Sequence, residues 1–202
     1  MTFRKNRGFS LLEMLIVVAV IIVITGFAAI ELQPLLKQSH VDTAYDTTLA
    51  TLRSYRNQSI TQGKRYIVTF TPPATITVSR WDFAVPVSPA PVQVATFTLP
   101  QDMQFAVQAG FPNTPATVPD GFGAGATAID FDQNTGLGSQ NYVMFMPDGS
   151  SQDTFGNLNS GIIYLTRPTD LYSSRAITVF GATGRVRGWR LYNQAGNKWV
   201  QQ

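Results

Sequence analysis

The most constraining feature of the sequence is an apolar run near its N-terminus. Residues 9–30 read FSLLEMLIVVAVIIVITGFAAI and contain one charged residue, Glu13. As an α-helix this run is roughly 33 Å long, which is enough to cross the hydrocarbon core of a bilayer. Basic residues stand at positions 4, 5 and 7, and basic residues beside such a helix stay on the cytoplasmic side. The sequence therefore predicts a single-pass anchor with the rest of the chain across the membrane.

A cleaved secretory signal peptide is the alternative interpretation of this run, and Thr25–Ala29 imitates the small-residue cleavage site that it requires. The length of the run and the acidic Glu13 favour an anchor instead. A carboxylate in hydrocarbon costs several kcal/mol unless it is paired, so an intramembrane acid is a candidate functional residue.

The residues that lead into the run resemble a known motif. Residues 7–15 read RGFSLLEML, which is similar to the cleavage and methylation motif of type IV prepilins and type II secretion pseudopilins. The resemblance implies that a prepilin peptidase cuts after Gly8, removes residues 1–8 as a leader and leaves Phe9 as a methylated N-terminus. It also implies that Glu13 neutralises the Phe9 amine of a neighbouring subunit in a filament. Such pairing offsets the cost of a buried charge and sets the register between subunits.

Helical periodicity continues beyond the apolar run. Apolar residues recur at helical spacing between Leu36 and Ile60, Pro34 predicts a kink, and Gly63 predicts the end of the helix. We expect one helix from about Phe9 to Gln62. Residues 9–33 would form its transmembrane and filament-core half, and residues 34–202 would form a periplasmic globular domain.

After Gly63 the sequence predicts short strands rich in β-branched and aromatic residues, separated by turn signals. The predicted strands are Arg65–Phe70, Thr75–Arg80, Val92–Leu99, Gln104–Gln108, Ala126–Phe131, Tyr142–Met146, Gly161–Thr166, Arg175–Phe180 and Arg185–Tyr192. Two stretches rich in Pro or Gly, Val85–Pro91 and Gly110–Gly125, are predicted loops. The predicted fold class is α+β, a long N-terminal helix packed on an antiparallel β-sheet domain. This agrees with the pilin-like fold that the resemblance implies.

Segments of the C-terminal region narrow the resemblance. Phe145–Gly149, Gly161–Leu165 and Ile177–Arg187 are similar to the GspH/FimT group of minor pilins and pseudopilins. A FimT-type chain would join a type IV pilus at low copy, assist its assembly and bind double-stranded DNA for uptake in natural transformation. A GspH-type chain would join the pseudopilus of type II secretion without binding DNA. Both alternatives stay open, and both imply other pilins, prepilin peptidase and the inner membrane as partners.

Basic charge is concentrated at the C-terminal end. From Arg167 onwards there are six basic residues and one acidic residue, a net charge of +5, whereas residues 9–202 together are neutral. A turn at Thr183-Gly184 followed by a strand would place residues 185, 187 and 189 on one face. Arginines contact phosphates and tryptophan stacks on bases, so this face suits nucleic acid.

The same segment matches the GRxR motif, which is linked to DNA binding in FimT-type minor pilins. We infer that Arg190 and Lys198 add further positive charge beside this motif. The predicted DNA-binding set is Gly184, Arg185, Arg187, Trp189, Arg190 and Lys198. The alternative is structural, because arginines on an outer strand also discourage edge-to-edge pairing, and Trp189 suits a core.

The remaining composition excludes several kinds of site. The chain has no cysteine and one histidine, His40, without a partner at any motif spacing, which excludes thiol chemistry and His-pair metal centres. Asp130 and Asp132 fit a strand that ends in a polar turn better than a Ca²⁺ loop. The sequence therefore predicts no catalysis, no metal and no cofactor.

Overall fold

The computed structural model describes residues 10–82, 90–123, 127–132, 140–194 and 196–202, without the side chains of residues 29–33 and 35. Compact packing divides the chain into two units, residues 1–39 and 40–202. The predicted cleavage residues Gly8 and Phe9 and most of the predicted loop Val85–Pro91 lie outside the described residues.

The long helix predicted from the N-terminal pattern is confirmed. Helix α1 spans Leu11–Gln62, with Pro34 inside it, and ends directly before Gly63. In the first unit, Leu11–Ala28 is long and apolar enough to cross a membrane, with a mean hydropathy of 2.8. The kink predicted at Pro34 stays a prediction.

The second unit contains two antiparallel sheets instead of the one predicted. The first has the order β3-β2-β1-β6-β7, and the second has the order β11-β10-β9-β8-β4, with β5 also paired to β8. The strands are β1 Arg65–Thr71, β2 Thr75–Trp81, β3 Val92–Thr98, β4 Gln104–Phe105, β5 Ile129–Phe131, β6 Tyr142–Phe145, β7 Ser151–Gln152, β8 Gly161–Arg167, β9 Asp170–Phe180, β10 Arg185–Tyr192 and β11 Lys198–Gln201. A 3-10 turn spans Pro119–Gly121.

The C-terminal half of α1 and both sheets share one apolar core. Ala44 and Leu52 on the helix are fully buried with Phe70 of β1 and Ile177 of β9. A second cluster covers the opposite face of the second sheet. Its buried members are Phe111, Phe122, Ile162, Tyr164, Ala176, Leu191 and Trp199. Neighbouring residues of β8 and β9 belong to different clusters because side chains alternate along a strand.

The strand predictions differ from the structure mainly at the sheet edges. The segment predicted as Gln104–Gln108 forms only the two-residue β4, whereas β9 begins five residues earlier than predicted. Strands β7 and β11 were not predicted. Both are short edge strands, so their extended backbone depends on pairing with β6 and β10 more than on their own residue pattern.

Candidate functional site

The predicted DNA-binding set lies along the β9–β10 hairpin and the edge strand β11. Strand β10 pairs with β9 so that Arg185 lies opposite Phe180 and Arg187 lies opposite Thr178. Alternation therefore places Arg185, Arg187 and Trp189 on one face, as the spacing predicts.

On that face, the side chains of Arg187 and Trp189 already make hydrogen bonds to other side chains of the protein. The Arg187 Nη1 atom lies 2.6 Å from Oδ1 of Asp120, which belongs to the 3-10 turn. The Thr178 hydroxyl donates to the other Asp120 oxygen at 2.6 Å, and the Trp189 indole N–H donates to that hydroxyl oxygen at 3.1 Å. This network neutralises Arg187 and holds the Trp189 ring against the second cluster.

Arg190 and Lys198 do not extend this face. Arg190 alternates with Trp189, so it lies on the opposite side of the sheet, where its guanidinium is 5.2 Å from the Tyr192 ring centroid. Lys198 is exposed on β11 opposite Tyr192. The six predicted residues are therefore divided between two faces of the second sheet.

Two glycines of the motif segment allow close packing against α1. Gly184 has a φ of +59°, and a Cβ there would overlap the Gly149 carbonyl and lie 2.8 Å from Arg56 Nε. At Gly188 a Cβ would collide with the hydroxyl of Tyr45 on α1. Backbone conformation and packing therefore require glycine at position 184, independently of any ligand.

Sequence reasoning missed two arginines of α1 that lie beside the hairpin. Arg56 donates from Nε and Nη2 to the Thr183 carbonyl at 3.1 and 2.8 Å, and from Nε to the Gly149 carbonyl at 3.1 Å. Arg53 donates to the Val186 carbonyl at 3.4 Å. Their spacing of three residues on a helix was the only signal in the sequence.

A further buried charge ties α1 to the second sheet. Arg175 on β9 is 2% exposed and donates to Asp42 on α1 at 3.1 Å. Burial and the nearby Arg190 charge lower the pKa of Arg175, while Asp42 acts in the opposite direction. This pair connects the helix to the second sheet.

His40 has a partner that motif spacing could not reveal. Its Nδ1 lies 2.7 Å from Oδ1 of Asp102, whose other oxygen lies 3.5 Å from Arg167 Nε. The sequence separation of 62 residues conceals this contact. Among the described residues, no group of three acidic or histidine side chains could hold a metal ion.

Asp130 and Asp132 lie where the sequence predicts, in β5 and directly after it. Asp132 is 5% exposed with a φ of 72°, and its N–H donates to Asn159 Oδ1 at 2.7 Å. Burial and then the charge of Asp153 raise the pKa of Asp132, partly offset by a hydrogen bond with Gln140.

The N-terminal candidate residue Glu13 lies in the first turn of α1 and is exposed. Ser10 precedes the helix, and its hydroxyl accepts a hydrogen bond from the Leu12 N–H at 3.3 Å, the bond of an N-cap. Every apolar side chain described between Leu11 and Ala28 is exposed. A helix that is apolar on all sides and unburied needs lipid or other helices around it.

Comparison with known proteins agrees with this N-terminal pattern. Residues 3–29 match the family described as the prokaryotic N-terminal methylation motif. This is a prepilin-type N-terminus. The match includes the predicted cleavage residues Gly8 and Phe9, Glu13 and the apolar segment Leu11–Ala28, so the motif and the candidate membrane span occupy the same part of the chain.

No curated protein matches this chain in sequence. Among solved structures, the minor pseudopilin EpsH from the type 2 secretion system of Vibrio cholerae is similar over 81% of this chain and 96% of its own. The TM-score is 0.35 and the identity is 9%.

Proposed function

We propose that this chain is a precursor of a minor filament subunit. It is cleaved after Gly8, methylated at Phe9 and then assembled through the apolar half of α1. The observation that carries the proposal is a membrane-length apolar segment, Leu11–Ala28, whose single charge, Glu13, lies inside the matched motif. In this proposal the chain is the substrate of the peptidase and performs no catalysis itself.

The physical basis of assembly is pairing of charges in an apolar environment. Cleavage creates a positively charged amine at Phe9, and Glu13 lies four residues further along the chain. Between neighbouring subunits the carboxylate and the amine neutralise each other, which makes both tolerable among packed apolar helices. Residues 9–33 would form the filament core, and residues 34–202 would be periplasmic before assembly.

Processing tests this proposal directly. Co-expression with a prepilin peptidase is expected to yield a chain that begins at Phe9 with one added methyl group, measured by intact mass. Gly8→Glu is expected to leave the full-length chain in the membrane because the peptidase requires the glycine. Asn6→Glu adds the same charge two residues earlier and is the matched control, which should be processed. Normal processing of Gly8→Glu would contradict the proposal.

At a finer level, we propose a FimT-type minor pilin of a type IV pilus that binds DNA during uptake. Support comes from the net charge of +5 beyond residue 166 and from exposed Arg185, which follows Gly184 at the hairpin turn. Labelled duplex DNA added to the full chain in non-ionic detergent should bind in a salt-dependent manner, measured by fluorescence anisotropy. Arg185→Gln/Arg187→Gln should weaken this binding.

A second candidate function is a GspH-type pseudopilin of type II secretion that does not bind DNA. An internal network favours it, because Asp120 and Thr178 hold Arg187 and Trp189, two of the three residues of the predicted face, in structural hydrogen bonds. Absence of DNA binding even at low salt would select this candidate.

A further inference from the structure

A groove lies between the C-terminal part of α1 and the β9–β10 turn. Its volume is about 600 Å³, and Arg53, Arg56 and Asn57 line its helix side. The turn side is lined by Phe180, Thr183, Gly184, Arg185 and Val186. Both sides belong to the second unit, so the groove is a feature of the folded domain.

Three arginines line this groove, and none of them has an acidic partner in the part of the chain that the structure describes. Among the described residues, no carboxylate oxygen lies within 4.0 Å of Arg53, Arg56 or Arg185. Elsewhere in the domain, Arg80, Arg167, Arg175 and Arg187 each contact an aspartate. Clustered like charges attract anions into a cleft.

The central arginine of the groove is held in place before any ligand arrives. Arg56 makes its three hydrogen bonds to the Gly149 and Thr183 carbonyls, which are neutral and leave its positive charge in place. The remaining N–H groups of a guanidinium can still bind an oxyanion, often in pairs. A fixed cation loses less conformational entropy on binding than a mobile one.

An exposed aromatic ring adjoins these cations. Phe180 is 39% exposed, and the Arg185 guanidinium lies 5.9 Å from its ring centroid. A cation that binds phosphate beside a ring that stacks on a base matches the two parts of a nucleotide. A carboxylate-bearing peptide would use the guanidiniums but not the ring.

We propose that this groove binds one phosphate-and-base unit of a single-stranded DNA segment. Arg53 and Arg185 contact the phosphate, Arg56 contributes a fixed charge, and Phe180 stacks on the base. The inference rests on the proposed DNA binding and extends it from a duplex to a single-stranded segment, whose bases are free to stack. It adds two helix residues, Arg53 and Arg56, and assigns no contact to Arg187, which Asp120 neutralises.

The test uses the full chain in non-ionic detergent with a fluorescently labelled single-stranded oligonucleotide. Arg53→Gln/Arg185→Gln is expected to weaken binding about tenfold at low salt and to lower the slope of log K against log salt by about 0.7, the value for one phosphate of a single strand. Phe180→Ala is expected to weaken binding by about five- to tenfold with no change in that slope. Arg56 is left intact because it supports the turn.

Lys64→Gln/Arg80→Gln is the matched control, since it removes two positive charges that contact Asp82 near the first sheet. It should bind the oligonucleotide like the unmodified chain. Thermal unfolding of each variant verifies that the fold is retained. Inorganic phosphate at the nucleotide concentration of the oligonucleotide should not displace it.

The outcomes separate the two proposals. Binding that is lost equally in the groove variant and the control, or only in Arg187→Gln, would overturn the groove while leaving DNA binding in place. Displacement by free phosphate would overturn the strand as the ligand. Absence of oligonucleotide and duplex binding by the unmodified chain at low salt would overturn both the groove and the DNA-binding proposal.

Discussion

At the scale of single residues, Asp120 determines which tail arginine is available to a ligand. It pairs with Arg187, 67 positions away in sequence, and this leaves Arg185 as the exposed arginine of the GRxR segment. The GRxR motif alone does not show which of Arg185 and Arg187 is exposed. The spacing of residues within a motif gives no information about a partner such as Asp120 in a distant turn. Their environments differ only once the 3-10 turn packs on the second sheet.

Asp132 gives a prediction on pH dependence. Since burial raises its pKa, the folded state binds this proton more tightly than the unfolded state does. The contribution of the residue to stability is therefore fully present below the unfolded pKa of about 3.9 and is lost as pH rises through the folded pKa.

Asp132→Asn is therefore expected to raise the free energy of unfolding near neutral pH, and this gain should vanish below about pH 3.9. Asparagine also tolerates the positive φ of 72° at this position. Urea unfolding at the two pH values measures the difference. Exposed Asp46→Asn is the control. A loss of stability in Asp132→Asn at neutral pH would contradict the assignment.

Gly188 gives a prediction on packing. Gly188→Ala is expected to lower the free energy of unfolding by about 1–3 kcal/mol, because its methyl group would overlap the Tyr45 ring and hydroxyl. Tyr45→Phe in the same chain should recover part of the loss by removing the nearest atom. Chemical denaturation measures both variants. Gly196→Ala, where a Cβ meets nothing within 4 Å, controls for the change of residue type, although its positive φ adds strain.

At the scale of elements, α1 has two halves with different surroundings. In its N-terminal half, Leu11–Ala28 is exposed and carries one charge, Glu13, whereas the C-terminal half buries Ala44 and Leu52 in the shared core. The two halves of α1 therefore lie in different environments. The sequence indicates this, because almost all residues are apolar in the first half and apolar residues recur at helical spacing in the second.

This difference predicts that the same Leu→Ala substitution lowers the free energy of unfolding by very different amounts at two positions on α1. Leu52→Ala is expected to cost about 2–5 kcal/mol of unfolding free energy because Leu52 is fully buried. Leu36→Ala removes the same atoms from a side chain that is 59% exposed and should cost little. Thermal or urea unfolding of the full chain in detergent compares them. Equal losses would contradict the assigned core.

Much of this architecture could be predicted from the sequence because its signals are local. The bounds of α1 and β10 follow from apolar pattern and turn residues. The division into two sheets could not be predicted, since strand order depends on contacts between distant segments. The groove could not be predicted for the same reason, because its arginines Arg53 and Arg185 are separated by more than half of the chain.

At the scale of the whole molecule, the two ends of the chain have separate roles. In the proposed function, the matched segment 3–29 directs processing and assembly, whereas the unit formed by residues 40–202 carries the basic groove. In the proposed filament, the first unit is surrounded by neighbouring helices, which gives its exposed apolar residues a partner.

Glu13→Ala tests most directly whether the chain assembles into filaments through pairing of Glu13 with the Phe9 amine. Filaments sheared from cells that express the chain with its pilus machinery are compared for its content by immunoblot. Glu13→Ala is expected to be cleaved normally but absent from the sheared fraction, because the Phe9 amine of the neighbouring subunit would lose its partner in an apolar core. Asp46→Ala, which removes an exposed acid from the same helix, should be incorporated normally. Recovery of Glu13→Ala in filaments at the unmodified level would contradict the account.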